Sequence, residues 1–423
     1  MPMATDIAVW LLDQQVGTLS WAGGQLGFEY RAEWLAAPDS VALSQSLPLR
    51  REPYGERECR PFFAGLLPEG TLRRLIARLY QVSHQNDFAL LSAIGGECAG
   101  AVTFLPVGQV ASGHATLETE WLDETQLADL LDELPQRPML AGRDGIRLSL
   151  AGAQDKLPVV FDGRRVGLPK GGQPSTHILK PAIASVEDSV WNEGYCLALA
   201  QTLGLATAPS HILQVVDRHV LLVERYDRRP NDAGPPARIH QEDFCQALGV
   251  APESKYQNEG GPDFQLCFEL LRRATRPSAP QVLRLFDAVI FNTLVGNHDA
   301  HGKNFSLLYV DKVPVMAPLY DVLSTAVYAQ LTPKMAMKLG SKYRFDEVQP
   351  RHWEQFATAA GLSSSQTKNR VLRMARELPG IARQVQALPQ FAGQPIVNRI
   401  VALIDERSGF TARNKTVRLR RDN

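Results

Sequence analysis

The feature that most limits what this chain can fold into is a strongly apolar helix pattern that runs into a polar loop and out again into a strand. In PQVLRLFDAVIFNTLVG (280–296), Leu285, Phe286, Val289, Ile290 and Leu294 recur at helical spacing. The loop NHDAHGKN follows, and then the strand-like FSLLYV. A helix this apolar is fixed by packing, so it delivers Asp299 to a turn, with Asn304 five residues later. The Gly302-Lys303 pair imitates a phosphate loop of the G-x-x-x-x-G-K-[ST] type. The gap is one residue too long, however, and Asn304 stands where Ser or Thr must hold Mg²⁺.

D-x-x-x-x-N is instead the spacing of a kinase catalytic loop, in which the Asp accepts the proton of the attacking hydroxyl and the Asn coordinates Mg²⁺. Seventeen residues further on, the apolar approach VPVMAPLY ends at Asp321, as the approach to a DFG aspartate does, although Phe-Gly is absent. Asp299, Asn304 and Asp321 then make a site of two carboxylates and one amide, oxygen donors that a hard cation accepts. Two other readings stay open at this point. His298, Asp299, His301 and Asp321 offer imidazole and carboxylate ligands for a transition metal, which would make a hydrolase. The spacing is also common by chance and compatible with a hydrated turn.

The rest of the chain raises the weight of phosphoryl transfer. Such an enzyme needs a lysine on a strand of a preceding β-rich lobe, and THILKP supplies Lys180 at a strand end, on one face with Thr176 and Ile178. Glu193, on the helix pattern SVWNEGYCLALAQTLG, is either its ion-pair partner or a surface glutamate. Upstream, SLAGAQDK (149–156) puts Ala151, Gly152 and Ala153 together, with few side chains to keep backbone N–H groups from a phosphate. By contrast IGGECAG (94–100) is spaced G-G-x-x-x-G and reads as a tight backbone turn rather than a cofactor loop.

Along the chain, short strands are expected in 5–47 (IAVWLL, GTLSWAG, FEYRAEWL, SVALSQSLPL). A helix from 62 follows, with Leu72, Leu75, Ile76 and Leu79 on one face, and then a polar boundary near 107–120. Strands and one amphipathic helix fill 146–226. The Pro-rich RRPNDAGPPAR (228–238) separates them from a mainly helical remainder, with three helices between 350 and 408.

Charge adds an exclusion: 45 basic and 45 acidic residues cancel, unlike a chain that binds nucleic acid over a broad face of its own. The basic tail KTVRLRRDN reads as a frayed terminus. Five scattered cysteines without a C-x-x-C pair fit a reducing compartment. The N-terminus lacks a basic n-region, and no uncharged apolar run reaches a membrane span, so a cytoplasmic protein is expected.

FFAGLLPEG, LSLAGAQDKLPV, STHILKP, NEGYCLALA, LLVERYDR, HQEDFCQALG, DAHGKNFS and PLYDVLS occur in this order from about residue 60 to 325. Together they resemble the HipA family of bacterial toxin serine/threonine kinases. The resemblance implies an α+β, two-lobed protein-kinase-like fold. It would have a β-rich N-terminal subdomain (1–110), a kinase N-lobe (111–235) and an all-helical C-terminal lobe (236–423). It implies ATP and Mg²⁺ as cofactors and a protein serine as acceptor, glutamyl-tRNA synthetase being the best-known target. It further implies neutralisation by a helix-turn-helix antitoxin that carries the operator DNA contacts.

By the same resemblance Asp299 is the catalytic base, Asn304 and Asp321 hold metal, and Lys180 contacts phosphate. Ala151, Gly152, Ala153, Gln154, Asp155 and Lys156 form the nucleotide loop. Glu224, Arg225 and Tyr226 hold the adenine, and His301, Gly302, Lys303 and Tyr320 line the site. Ser149 falls on the family's autophosphorylated serine. A binding module without catalysis, acting through the antitoxin, is the alternative from a different class.

Overall fold

The computed structural model describes residues 5–110, 117–143, 145–231 and 234–413. The tail KTVRLRRDN and the middle of the polar boundary at 111–116 therefore lie outside the described residues. By its contacts the chain divides into two compact units. One holds Met1–Pro181, Leu213–Glu253 and Ser306–Pro314, and the other Ala182–Ile212, Ser254–Phe305 and Val315–Asn423.

The first unit carries two larger sheets, each with its own core. The N-terminal sheet is antiparallel, ordered Gln25–Tyr30, Gln14–Ala22, Asp6–Leu11, Val102–Pro106. Its inward side chains, Val9, Leu11, Leu19 and Phe28 among them, pack on Phe62 and Phe63 of the helix Glu56–Gly65. Two expected strands change character here. FEYRAEWL is split into a strand and the short helix Ala32–Ala36, and SVALSQSLPL is an irregular segment with one bridge, Ser44 to Leu47. Side chains replace its ladder: the Tyr30 hydroxyl donates to Leu47 O (2.6 Å) and accepts from Leu43 N (2.8 Å). The helix expected from residue 62 is also divided, at 66–69 around Pro68. In its second half, Gly70–Leu79, Leu72 and Ile76 are buried but Leu79 is exposed.

The second sheet has six strands, ordered Glu118–Trp121, Val166–Lys170, Leu157–Phe161, His177–Lys180, Arg218–Glu224, Ser210–Val215. Leu157, Val159, Leu168, Leu179 and Leu222 form its core. IRLSL, expected as strand, joins only through a bridge from Leu148 to Glu97. RRPNDAGPPAR is pinched at its base by a two-residue strand pair, Arg228–Arg229 with Ala237–Arg238.

The second unit is mainly helical. Phe264–Ala274, Ser278–Val295, Pro350–Ala359, Ser364–Gln386 and Pro395–Arg413 fall where apolar periodicity placed them. Asp263 and Ser363 cap two of these helices by accepting from backbone N–H groups. The helix Ser189–Thr202 is buried nearly all round, Asn192, Glu193, Tyr195 and Leu199 included, so it is a core helix and not an amphipathic one. The expected all-helical character of 236–423 needs one correction. The segment also holds the hairpin Lys334–Leu339 with Lys342–Arg344, and the strand pair Gln241–Asp243 with Ser306–Val310, which belongs to the first unit.

Candidate active site

The residues singled out by sequence fall into two groups, one in each unit. In the second unit, Gly296 ends the long helix with φ +80°, and a Cβ there would meet Ala326 Cβ and Leu403 Cδ2 at 2.7 Å each, so only glycine fits. Asn297 then reaches back, donating through Nδ2 to Asn292 Oδ1 (3.0 Å), while its own Oδ1 accepts from Asp299 N (3.1 Å). The turn closes with His301 N donating to Asp299 O (2.7 Å) and Asn304 N donating to His301 O (2.9 Å). A chain of short local bonds thus fixes Asp299 relative to Asn304.

Asn304 Nδ2 donates to Asp321 O at 3.4 Å, and the Tyr320 hydroxyl donates to Lys303 O at 2.7 Å. Asp321 itself has φ +57°, a left-handed conformation that costs a non-glycine residue roughly 1 kcal/mol. With its amide nitrogen turned to Asp321 O, the Asn304 side chain keeps Oδ1 as an acceptor beside a carboxylate-bearing residue. Amide and carboxylate oxygens are a donor set that fits Mg²⁺. His301, Gly302, Lys303 and Asn304 are all buried. The Tyr256 hydroxyl, which sequence reasoning passed over, donates to Asp299 Oδ1 at 2.7 Å.

The transition-metal reading fails on His298. Its Nε2 lies 2.9 Å from Arg407 Nη2 and its Nδ1 3.3 Å from Thr332 O. Burial, then the Arg407 charge, pushes its pKa down to about 4, so the ring is neutral and committed to a guanidinium. Among the described residues no three His, Cys, Asp or Glu side chains gather as metal ligands.

In the first unit the small-residue loop is held by segments distant in sequence. Ser149 is fully buried; its Oγ donates to Leu66 O (2.9 Å) and its N to Glu97 O (2.8 Å). Ser149, which the resemblance puts on the family's autophosphorylated serine, is thus buried in this fold. Gly152 has φ +110°, and an added Cβ would lie 2.8 Å from Lys156 Nζ. Glu69 N donates to Gly152 O (3.0 Å), and Lys156 Nζ donates to Ala151 O (2.8 Å). A backbone conformation that favours glycine, with a lysine beside it, fits the phosphates of a nucleotide. Asp155, half-buried, has its carboxyl pushed up by desolvation.

Lys180 is buried at the end of its strand, paired in register with Leu221, while Leu179 beside it faces the core. Glu193 is buried too, which removes the surface-glutamate reading.

The side chains of the three residues expected beside the adenine have different surroundings. Glu224 is exposed at a strand end opposite His177. The Tyr226 hydroxyl bonds Gln241. Arg225 turns inward: its guanidinium donates to Asp227 (2.7 and 2.9 Å), Ser175 Oγ (3.0 Å), Cys98 O (3.1 Å) and Glu97 (3.3 Å). Arg228 adds a bond to Glu97 at 2.7 Å. Burial alone would raise the Glu97 carboxyl, but Arg228 and Arg225 outweigh it and hold it at about 2. The Arg225 side chain is therefore committed to this buried network and is not available to a ligand. Gly100, which the sequence placed in a tight turn, feeds the same network by donating its N–H to Asp227 (2.6 Å).

A mixed fold with a β-rich unit and a mainly helical unit, and a catalytic-loop motif beside a second aspartate, defines a kinase-like protein. Family comparison goes further. The model described as HipA-like C-terminal domain matches residues 148–382, and that described as HipA N-terminal domain matches 7–105, so the chain belongs to the HipA family.

Among curated proteins it is 49% identical to "Putative kinase Y4mE" of Sinorhizobium fredii, over 83% of this chain and 84% of that one. It is 30% identical to "Serine/threonine-protein kinase toxin HipA" of Shewanella oneidensis, over 89% and 88%. Among solved structures it resembles the Shewanella oneidensis toxin-antitoxin complex of HipA, HipB and operator DNA, with TM-score 0.82, 26% identity and 96% of each chain covered. Among the described residues no helix is long and apolar enough to cross a membrane.

Proposed function

We propose that this chain is a protein serine/threonine kinase of the HipA toxin type, transferring the γ-phosphate of ATP to a hydroxyl on a target protein. The observation that carries the reading is the second-unit constellation, in which Asn304 bonds the Asp321 backbone while Asp299 is fixed in the same turn. Asn304 and Asp321 would hold Mg²⁺, which when bound neutralises phosphate charge. Asp299 accepts the acceptor hydroxyl's proton, and Lys180 with the 151–156 loop binds and orients the phosphates. The protein's contribution is positioning and charge placement, with no covalent intermediate.

The relatives support two further parts of the reading. A small helix-turn-helix antitoxin similar to HipB is the proposed partner, with operator DNA contacted mainly through it. The proposed compartment is the cytoplasm, consistent with five buried cysteines that remain thiols. Ser149 is the proposed autophosphorylation site. Because its Oγ is bonded to Leu66 O inside the fold, phosphate can reach it only after the segment leaves that contact, and a dianion there could not return.

Purified protein with labelled ATP and Mg²⁺ tests the reading. Asp299→Asn should lower transfer by at least about 10²-fold, the scale of a lost general base, with ATP binding retained. Wild-type turnover in that variant would overturn the assignment.

A further inference from the structure

The kinase reading leaves unexplained why a tyrosine from outside the motif touches the proposed base. Tyr256 Oη donates to Asp299 Oδ1 at 2.7 Å, and its ring meets the His301 ring edge-on at 5.1 Å between centroids. The segment that carries it is built to hold one position. Gln257 Oε1 accepts from Lys338 N (2.7 Å), tying the segment to the strand Lys334–Leu339. Tyr256 O accepts from both Glu259 N and Gly261 N at 2.9 Å. Gly260 has φ +93°, and a Cβ on Gly261 would fall 2.4 Å from Ser254 O, so the Gly-Gly pair is what lets the chain fold back here. Lys255 Nζ lies 5.6 Å from the centre of the Tyr256 ring, on the same tight turn.

We infer that Tyr256 is a positioning residue for the phosphoryl-transfer step. Its hydroxyl engages Asp299 Oδ1 and helps to set the carboxylate plane from which the proton of the incoming serine or threonine hydroxyl is taken. A base must sit within hydrogen-bond reach of the proton it removes, and each added bond narrows the orientations its carboxylate samples. The phenol donates to Asp299 and gives up no proton in the reaction. The phosphoryl group passes from ATP to the acceptor oxygen, ADP leaves, and the acceptor's proton goes to Asp299. This role rests on Asp299 being the base.

The test uses the full chain with labelled ATP and Mg²⁺, reading the first-order rate of phosphate incorporation into the chain itself across ATP concentrations. Tyr256→Phe should lower the saturating rate about tenfold while leaving the half-saturating ATP concentration unchanged. Gln257→Ala, which loosens the anchor but keeps the phenol, should lower it about threefold. Absence of incorporation in the wild type would defeat the kinase reading itself. Wild-type activity with an unchanged saturating rate in Tyr256→Phe would defeat only the role of Tyr256. Two further results would overturn it as well: a higher half-saturating ATP concentration at an unaltered rate, or label mapping to the Tyr256 peptide, which would make the phenol an acceptor.

Discussion

The two loops that carry the proposed chemistry are held in different ways. The 297–304 turn is held by bonds among its own neighbours and by bonds to other segments of its own unit, His298 N donating to Thr325 Oγ1 (2.8 Å) and Ala336 N donating to His298 O (2.7 Å). Asn297 bridges Asn292 and Asp299, His301 bonds back to Asp299, and Asn304 bonds back to His301. The 149–156 segment is fixed by residues from far upstream: Leu66 O for Ser149, Glu69 N for Gly152, and Glu97 main chain on both Arg147 and Ser149. That turn keeps its shape as long as its own helix and the 321–336 segment of the same unit stay folded. A loop bonded to distant segments depends on the packing of the whole N-terminal sheet, and can be released by a change at any of them. That difference matches the proposed roles, catalysis for the first loop and a phosphorylation switch for the second.

The contrast can be broken most sharply at Glu97. Its carboxylate lies among the buried Arg225 and Arg228, so Glu97→Ala leaves two guanidinium groups short of a counter-charge and should cost about 3–5 kcal/mol in urea unfolding. ATP affinity should fall with it, because the same residue's main chain carries the 147–149 segment. Next in size, Gly296→Val should destabilise by roughly 2–3 kcal/mol, since the new side chain meets Ala326 and Leu403 in a left-handed backbone. Here calorimetry should show the loss and nucleotide affinity should be spared. Equal loss of ATP binding in both variants would erase the distinction between the loops.

A smaller effect separates them again: Ser149→Ala leaves Leu66 O without its donor at a cost of about 1 kcal/mol, and should remove the principal phosphopeptide in mass spectrometry. Phosphate found only elsewhere would sink the switch assignment.

The pH dependence of stability supplies the finest comparison, within the first unit. Burial holds His240 neutral, with its pKa pushed down to about 4, so its contribution is complete above about 6.5 and is lost as pH falls through 4. Burial raises the Glu242 carboxyl to about 7, so its contribution is complete below about 4.5 and is lost as pH rises through 7. Between about 4.5 and 6.5 the two slopes oppose each other. Removing one by Glu242→Gln should make stability climb with pH across that window more steeply than in the wild type, as read by urea midpoints at fixed ionic strength. An unchanged slope would show that Glu242 is not the titrating group.

How much was legible in the sequence follows from how each feature is built. Helices such as Ser278–Val295 and Ser364–Gln386 carry apolar side chains at helical spacing, and their positions follow from that period. SVALSQSLPL has the composition of a strand, but the Tyr30 hydroxyl and buried acceptors elsewhere take its backbone groups, which no local pattern announces. Arg225 was placed beside adenine because the linker sequence resembled its family, yet only the fold brings Glu97 and Asp227 to its guanidinium. Tyr256 lies 43 positions from Asp299 and carries no motif; the Gly260-Gly261 pair beside it was the one local sign of a constrained turn.

The sequence alone determined the kinase-type spacing of Asp299 and Asn304, the β-rich and helical halves, and the family. These rest on periodicity, residue chemistry and short-range spacing, which the chain carries wherever it goes. The fold, not the sequence, decided that Ser149 is buried, that His298 lies against Arg407, that the Arg225 side chain is bonded to Asp227 and that Tyr256 touches Asp299. Each of those depends on which distant group arrives to satisfy a buried polar atom. A buried donor or acceptor must be matched by something, but the sequence does not say by what.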